Sequence, residues 1–393
     1  MPIDSVPATR LRAWPFVAAS IVSAVLVLSA PFVGLIRGQI RSAFPGHFVA
    51  IVAGSIGIAI AAAILLALLR IRERRALRYG LIALALVFGA AYSFAMRTGN
   101  PEVDAVEHFH FVSYGIVTLL FYRAWRPADD GAVFILPVLS ALIVGTLDEW
   151  FQWFIPNRIG ELRDIFLNGA AIATGLLFSL GLDPPHRFTP AISRASRMRL
   201  RRVLAATVVV LAAFVASVHL GHVVRDGERA FKSIYSAQQL DARAAERAAR
   251  WSAAPPIRLE RLSAEDQYMS EGLWHVQRRN RAWEGGNAVA AFEENRILER
   301  FFAPVLDTPS YVSRTGHRWA AAQRADGEAR AGQALIERRP YVSDAHLYPI
   351  FSWSKTVFWL VVAALAIAVL VPLRFRAAPA SPAAQTASRP SER

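Results

Sequence analysis

Two short groups of polar residues interrupt apolar stretches of the chain that are long enough to cross a membrane. Asp148, Glu149 and Gln152 lie near the end of one stretch, and Asp164 and Asn168 open the next. Carboxylate and amide groups can hold a polar headgroup, and a carboxylate beside a histidine can take part in acid–base chemistry. Because ionisable residues are costly inside a membrane, these groups predict a functional site.

A third polar group occurs in the preceding apolar stretch. Glu107, His110 and Tyr114 are three and four residues apart, which places them on one face of a helix. A carboxylate at this spacing can orient the imidazole of His110. A hydrogen-bond cluster that only joins helices explains the same pattern equally well.

The composition is typical of a membrane protein. The chain is 54% hydrophobic and only 19% charged, whereas soluble domains are about 25% charged. Each predicted span approaches the roughly 17–25 residues that a bilayer requires. The sequence therefore predicts an all-α, polytopic membrane helix bundle with about eight transmembrane helices, at about 14–36, 47–69, 79–96, 106–125, 132–155, 164–182, 203–224 and 355–373.

The basic residues predict the orientation of these spans. The net charge is +14, and most of the arginines fall in loops that alternate on one side, as the positive-inside rule expects. Both termini are then cytoplasmic, in a bacterial cytoplasmic (inner) membrane. Because this topology accounts for the basic charge, we expect no nucleic-acid partner.

The three polar groups are expected to meet. Asp148 lies about 10 Å from the end of its helix, and a short outer turn makes the next helix its antiparallel neighbour. Arg158 in that turn, or Arg163 after it, can neutralise part of the acidic charge. The predicted outward-opening pocket contains Glu107, His110, Tyr114, Asp148, Glu149, Gln152, Arg158, Asp164 and Asn168.

Residues about 80–182 resemble the VanZ-like membrane proteins. The matching motifs are Glu107-x-x-His110-Phe-x-x-Tyr114-Gly115, Asp148-Glu149-x-x-Gln152-x-x-x-Pro156-x-Arg158, and Asp164-x-x-x-Asn168 followed by Gly175. The resemblance implies a role in the cell envelope, because the name-giving member is linked to glycopeptide (teicoplanin) resistance. It implies no particular reaction, so no catalytic residue follows from it.

The remaining segments are assigned from composition. Residues 1–78 carry the first two spans, and 79–182 the VanZ-like core of spans three to six. Residues 183–224 form a basic cytoplasmic loop and the seventh span. Residues 225–354 form a mainly helical extracytoplasmic domain, with helices expected over 226–250 and 264–302. The eighth span (355–376) and a disordered cytoplasmic tail (377–393) follow.

No metal site or cofactor is predicted. The chain has no cysteine, which removes thiolate ligands and disulfides. His219 and His222 have the spacing of a ligand pair on one helix face, but no third ligand is near them in the sequence.

Three functions fit these residues. The first is an envelope protein that binds a membrane lipid or a lipid-linked envelope precursor through its headgroup. The second is a membrane enzyme that acts on an envelope lipid, with His110 and one carboxylate as an acid–base pair. The third is a proton-coupled transporter, although its acids lie near one surface. The oligomeric state does not follow from the sequence.

The predicted topology can be tested with reporter fusions. Fusions after residues 75, 125, 195 and 380 should report the cytoplasm, and fusions after 160 and 300 the outside, because arginine-rich loops stay inside. Paired alkaline phosphatase and fluorescent protein activities measure this. A cytoplasmic result after residue 300 would contradict the eight-span topology.

Overall fold

The structure is a computed structural model that describes residues 13–155, 160–186, 189–253, 264–310, 313–335 and 340–371. It is mostly helical, with a small sheet. In these residues the helices are α1 (Ala13–Ala43), α2 (Phe48–Arg70), α3 (Arg75–Ala95), α4 (Pro101–Trp125), α5 (Leu136–Trp153), α6 (Leu162–Leu182), α7 (Arg194–Val218), α8 (Ala237–Ala253), α9 (Ala264–Glu284), α10 (Ala288–Phe301), α11 (Ala303–Leu306), α12 (Ala321–Leu335) and α13 (Lys355–Leu370). The strands are β1 (His222–Asp226), β2 (Arg229–Ser233) and β3 (Tyr341–Val342).

Six of the described helices are long and apolar enough to cross a membrane: α1, α2, α3, α5 with the turn of 3₁₀ helix before it, α6 and α7. Two other helices were predicted as spans. The 25-residue α4 is long enough, but its histidines, tyrosines and acids make it less apolar. The 16-residue α13 is apolar but short. A helical bundle of several apolar spans is thus confirmed, whereas the count of eight remains a prediction.

The centre of the bundle is formed by α4, α5 and α6, which all pack on one another. The helices α1 and α2 pack against α4, α3 packs against α6, and α7 lies between α5 and α13. Glycine sets the closest approach. A Cβ atom on Gly175 of α6 would lie 2.9 Å from the Cα of Gly115 and 3.0 Å from the Cβ of Thr118. Small residues of this kind let membrane helices approach closely.

The carboxyl end of α6 is held by side chains from α3 and α4. Arg78 donates from Nε to the carbonyl of Gly181 (2.9 Å) and from Nη2 to that of Leu182 (2.5 Å). The hydroxyl of Tyr122 donates to the carbonyl of Asp183 (2.7 Å). The last carbonyls of a helix have no partner within the helix, so these donors fix the end of α6 in the bundle.

Residues 219–353 lie between α7 and α13 and are called the inserted unit. Its ends are side by side, because Gly221 N donates to Phe351 O (3.1 Å) and Phe351 N donates to His219 O (2.8 Å). Within the unit, β1 and β2 pair antiparallel, and β3 lies parallel to β2. The pairing brings the end of α7 beside the start of α13.

The core of the inserted unit is a cluster of buried aromatic and aliphatic residues from the sheet and from α8 to α11. One buried carboxylate links three elements around it. Glu294 of α10 accepts from Nδ1 of His275 (2.6 Å), from Tyr341 Oη (2.6 Å) and from Ser343 Oγ (2.5 Å). Burial favours the protonated acid, but His275, Ser343 and Tyr341 outweigh it and lower the pKa of Glu294.

The inserted unit packs against the bundle at the ends of α5 and α7. Trp153, Phe214 and Val218 of the bundle form one buried cluster with Trp274 and Tyr348 of the unit. The indole Nε1 of Trp153 donates to Tyr348 Oη at 3.4 Å. This contact places the unit over the end of the bundle where α5 ends and α6 begins, which is called the unit end below.

The structure differs from the sequence predictions in three local elements. The predicted helix over 226–250 begins only at Ala237, because residues 222–233 form a hairpin. Gly227 takes φ +56° as the first residue of a two-residue turn, and glycine at this position is a hairpin signal. The seventh span ends at Val218 rather than 224, and residues 194–202, which lie before the predicted span and were assigned to the basic loop, form the first part of α7. The predicted tail over 377–393 lies outside the described residues.

The stability of the inserted unit should depend on pH through His317. Its Nε2 lies 2.9 Å from Ser310 Oγ, and burial, followed by the charge of Arg279, lowers the pKa of His317 from 6.5 to about 4. Between these values the unfolded chain binds more protons. The free energy of unfolding should therefore fall on acidification, by up to about 1.4 kcal/mol per pH unit.

His317→Gln should reduce this dependence. We expect the melting temperature of the full chain in detergent to fall less between pH 6.5 and pH 5 in the variant than in the wild type. Glu294 keeps its stabilising charge in this window, because its pKa lies below the ordinary 4.5. Parallel pH curves for the two proteins would rule out a contribution from His317.

Candidate functional site

Three polar side chains project from the last turns of α5 and contact one another. Nε2 of Gln152 donates to Oδ2 of Asp148 (3.1 Å) and to Oε1 of Glu149 (3.2 Å). These contacts follow from helical spacing, since residues three and four apart lie on adjacent turns. All three side chains are buried, and Glu149 is 0% exposed.

The helix α4 contributes a hydroxyl donor to the same site. Tyr114 is 1% exposed, and its Oη donates to Oδ2 of Asp148 at 2.8 Å. This oxygen therefore accepts from both Tyr114 and Gln152. A carboxylate in an apolar bundle needs such donors, because leaving it without them costs several kcal/mol.

The helix α6 contributes an amide that links the acids to a histidine. Nδ2 of Asn168 lies 3.4 Å from Oε1 of Glu149 and 3.5 Å from the carbonyl of Gly145, both long hydrogen bonds. Oδ1 of Asn168 accepts from Nδ1 of His110 at 2.7 Å. The ring of His110 also stacks on Tyr114, with centroids 5.8 Å apart.

The acid–amide cluster is defined as these six residues from three helices, which form one connected set of hydrogen bonds: His110, Tyr114, Asp148, Glu149, Gln152 and Asn168. His110 is the half-buried member, and the other five are buried. The predicted meeting of the polar groups of α4, α5 and α6 is therefore present in the structure. The predicted open pocket differs, because the cluster is closed around its acids and is reached at His110.

Two glycines allow the helices to come this close. A Cβ on Gly145 would lie 3.2 Å from the Cβ of Asn168 and 3.3 Å from Cε1 of Tyr114. A Cβ on Gly160 would lie 2.1 Å from the carbonyl oxygen of Glu149. Gly160, which lies between α5 and α6, therefore packs directly against the backbone of Glu149.

Glu107 does not pair with His110 as the helical spacing suggested. Both of its oxygens accept from Arg163 of α6, at 2.9 and 3.0 Å. Nη2 of Arg163 also donates to the carbonyl of Met96 (3.3 Å). A bidentate arginine is the stronger partner for a carboxylate, which leaves Asn168 to orient His110.

The rim of the site is acidic. Asp164 and Glu161 lie beside Arg163, and both are half-buried. Glu161 precedes α6, and burial, then the charge of Asp164, raises its pKa to about 7, although Arg163 opposes this and Glu107 adds to it. Glu161 is not among the predicted site residues, although its position one turn before Asp164 was a signal for it.

Arg158 and Pro156 of the predicted site lie outside the described residues. Trp153 was also missed, although it directly follows Gln152 and contacts the inserted unit. His219 and His222 do not share a helix face as predicted, because α7 ends at Val218 and His222 begins β1; Nδ1 of His219 bonds to the carbonyl of Pro349 (2.8 Å). The part of the chain that the structure describes contains no group of three or more His, Asp or Glu residues placed to hold a metal ion.

The cluster is suited to hold polar groups. Its carboxylate and amide oxygens accept hydrogen bonds inside the cluster, and His110 is its half-buried member. Glu107 and Arg163, which pair across the same helices α4 and α6, are half-buried too. Comparisons with protein-family models, curated proteins and solved structures found no match to this chain. The site is therefore interpreted from its own geometry and from the motifs in the sequence.

The close contact of α4 and α6 can be tested with two alanine substitutions in one helix. Gly175→Ala should destabilise the protein by about 1–3 kcal/mol, because the added Cβ meets the backbone of Gly115. Gly169→Ala is the matched control, because a Cβ there meets nothing within 4 Å. Thermal melting in detergent measures both. Equal melting temperatures would show that the contact is looser than described.

Proposed function

We propose that this chain is a VanZ-like membrane protein of the bacterial cell envelope that binds a polar lipid headgroup at the acid–amide cluster. The ligand is a membrane lipid or a lipid-linked envelope precursor. The observation that carries the proposal is the connected set of polar side chains, which joins two buried carboxylates to the half-buried His110. Buried polar networks inside an apolar bundle are expensive, so they favour a functional role over simple helix packing.

The motifs behind the VanZ-like resemblance support this proposal. His110 and Tyr114 come from the first motif, Asp148 and Glu149 from the second, and Asn168 from the third. The structure joins residues of all three motifs in one set of hydrogen bonds. The resemblance implies a role related to glycopeptide resistance, so changed susceptibility to a glycopeptide is the expected phenotype.

The proposed topology has eight spans, with α4 and α13 crossing the membrane beside the six apolar helices. Basic residues such as Arg78 and Arg126 lie at the end opposite the inserted unit, where they bond to backbone carbonyls. That end is cytoplasmic in the proposal, together with both termini. The inserted unit and the acid–amide cluster then face the outside.

An enzyme that acts on an envelope lipid is the second candidate, and it is less well supported. Acid–base catalysis needs a donor and an acceptor within hydrogen-bond reach of the substrate. His110 bonds to an amide rather than to a carboxylate, and this amide separates it from Glu149. Binding requires no proton transfer through that amide.

A proton-coupled transporter is less well supported still. Below the cluster, the polar side chains of α4, α5 and α6 include Thr118, Thr146 and Ser179, whose hydroxyls bond to carbonyls one turn earlier in their own helices. Hydroxyls that bond in this way do not continue the hydrogen bonds of the acid–amide cluster toward the opposite end of the bundle. Proton relays through membranes use Asp, Glu and His side chains.

The charge of the cluster can be removed with little change in shape. Asp148→Asn and Glu149→Gln should abolish the contribution of the protein to teicoplanin susceptibility or to another envelope phenotype, because headgroup binding needs these carboxylates. Expression and melting temperature should change little. Asp183→Asn at the opposite end of α6 is the control, since Asp183 pairs with Arg126 (3.0 Å) far from the cluster.

Two results would contradict the proposal. If both cluster variants lose melting temperature in step with activity, the carboxylates hold the bundle together and bind nothing. If the variants are stable and fully active, the headgroup is bound elsewhere.

A further inference from the structure

A second, apolar site lies on the other side of α4. The structure contains a cavity of about 660 Å³ between α2, α3 and α4, with part of its wall from α6. Its volume falls within the roughly 300–1,000 Å³ of ligand sites. The lining is mostly apolar, and Arg97 and His108 border it near the unit end.

The cavity exists because α2 and α3 separate toward the unit end. At the opposite end they meet, where Ala67 and Ile71 pack with Ile82. Further along, α2 packs on α4 while α3 packs on α6. The facing walls carry small residues such as Ala62 and Ala90, which leave the space between the helices unfilled.

The length of the cavity exceeds the thickness of one leaflet of a membrane core. Ala53 and Leu66 of α2 both line it, and at 1.5 Å per residue they are about 20 Å apart along the helix. Half of a bilayer core is about 15 Å thick. A single extended acyl chain therefore fits along the cavity.

The mouth of the cavity carries positive charge. Arg97 is exposed, and its guanidinium lies 4.6 Å from the ring centroid of Phe94. Neither Arg97 nor His108 makes a side-chain hydrogen bond or a close ion pair with the described residues, although the charge of Asp104 interacts with both. The nearby acid, Asp104, accepts from the backbone N (2.8 Å) and the hydroxyl (2.7 Å) of Thr98. Arg97 is thus available to a phosphate.

We propose that this cavity binds one acyl chain of an anionic phospholipid whose phosphate lies at Arg97 and His108. Charge at the mouth and chain length together select this occupant over a neutral apolar ligand. His108 borders this cavity, whereas His110 bonds within the acid–amide cluster on the α6 side. Occupancy of the cavity is independent of what the cluster binds.

The test is native mass spectrometry of the full chain in detergent micelles doped with palmitoyl-oleoyl phosphatidylglycerol or with the matching phosphatidylcholine. Wild-type protein should retain one phosphatidylglycerol, bound about fivefold more tightly than phosphatidylcholine. Arg97→Gln should remove this preference, and Arg97→Lys should keep it. Equal retention of the two lipids by the wild type would overturn the proposed headgroup contact.

Filling the cavity tests the acyl chain. Ala90→Phe should lower retention of both lipids at least tenfold, whereas Ala91→Phe, exposed on the same helix but outside the lining, should not. Ala62→Phe and Ala61→Phe repeat the comparison on α2, in case one variant fails to fold. Equal retention within both pairs would overturn the site. The tenfold difference between Ala90→Phe and Ala91→Phe should also appear in the Asp148→Asn background, so this result does not depend on lipid binding at the acid–amide cluster.

Discussion

The burial of Asp148 and Glu149 in an apolar helix end constrains the rest of the bundle. Two adjacent carboxylates at this depth need hydrogen-bond donors, and a helix cannot supply them from its own backbone. Gln152 supplies one donor group from the next turn, Tyr114 a second from α4 and Asn168 a third from α6. The positions of α4 and α6 relative to α5 are therefore set by a polar requirement as well as by apolar packing.

Glycine makes this arrangement sterically possible. The amide of Asn168 reaches Glu149 only because residue 145 has no side chain, and α6 reaches α4 only because residue 175 has none. The turn between α5 and α6 then closes against Glu149 through Gly160. Polar donors and missing side chains together determine the geometry of the site, and neither would be sufficient alone.

The sequence predicts the membership of the cluster better than its bonding. Polar side chains in an apolar stretch must find hydrogen-bond partners among one another, so Asp148, Glu149 and Asn168 could be expected to converge. The partner of Glu107 depends on whether its side chain reaches Arg163 of α6, and the spacing of residues within α4 carries no information about that distance.

The end of α7 was equally hidden from the sequence. This helix ends at Val218 because residues 219–221 pair with residue 351, and no local pattern reveals a contact about 130 residues away. The hairpin did have a local signal, Gly227 itself, but the helical spacing of the residues that follow it favoured a helix.

The helix α4 connects the two sites of the bundle because its faces serve different purposes. One face carries His110 and Tyr114 into the acid–amide cluster, and another carries His108 and Phe111 to the wall of the apolar cavity. Gly115 lines the cavity and also contacts Gly175 of α6. The contact between Gly115 and Gly175 therefore positions both the acid–amide cluster and one wall of the cavity, because each lies on its own face of α4.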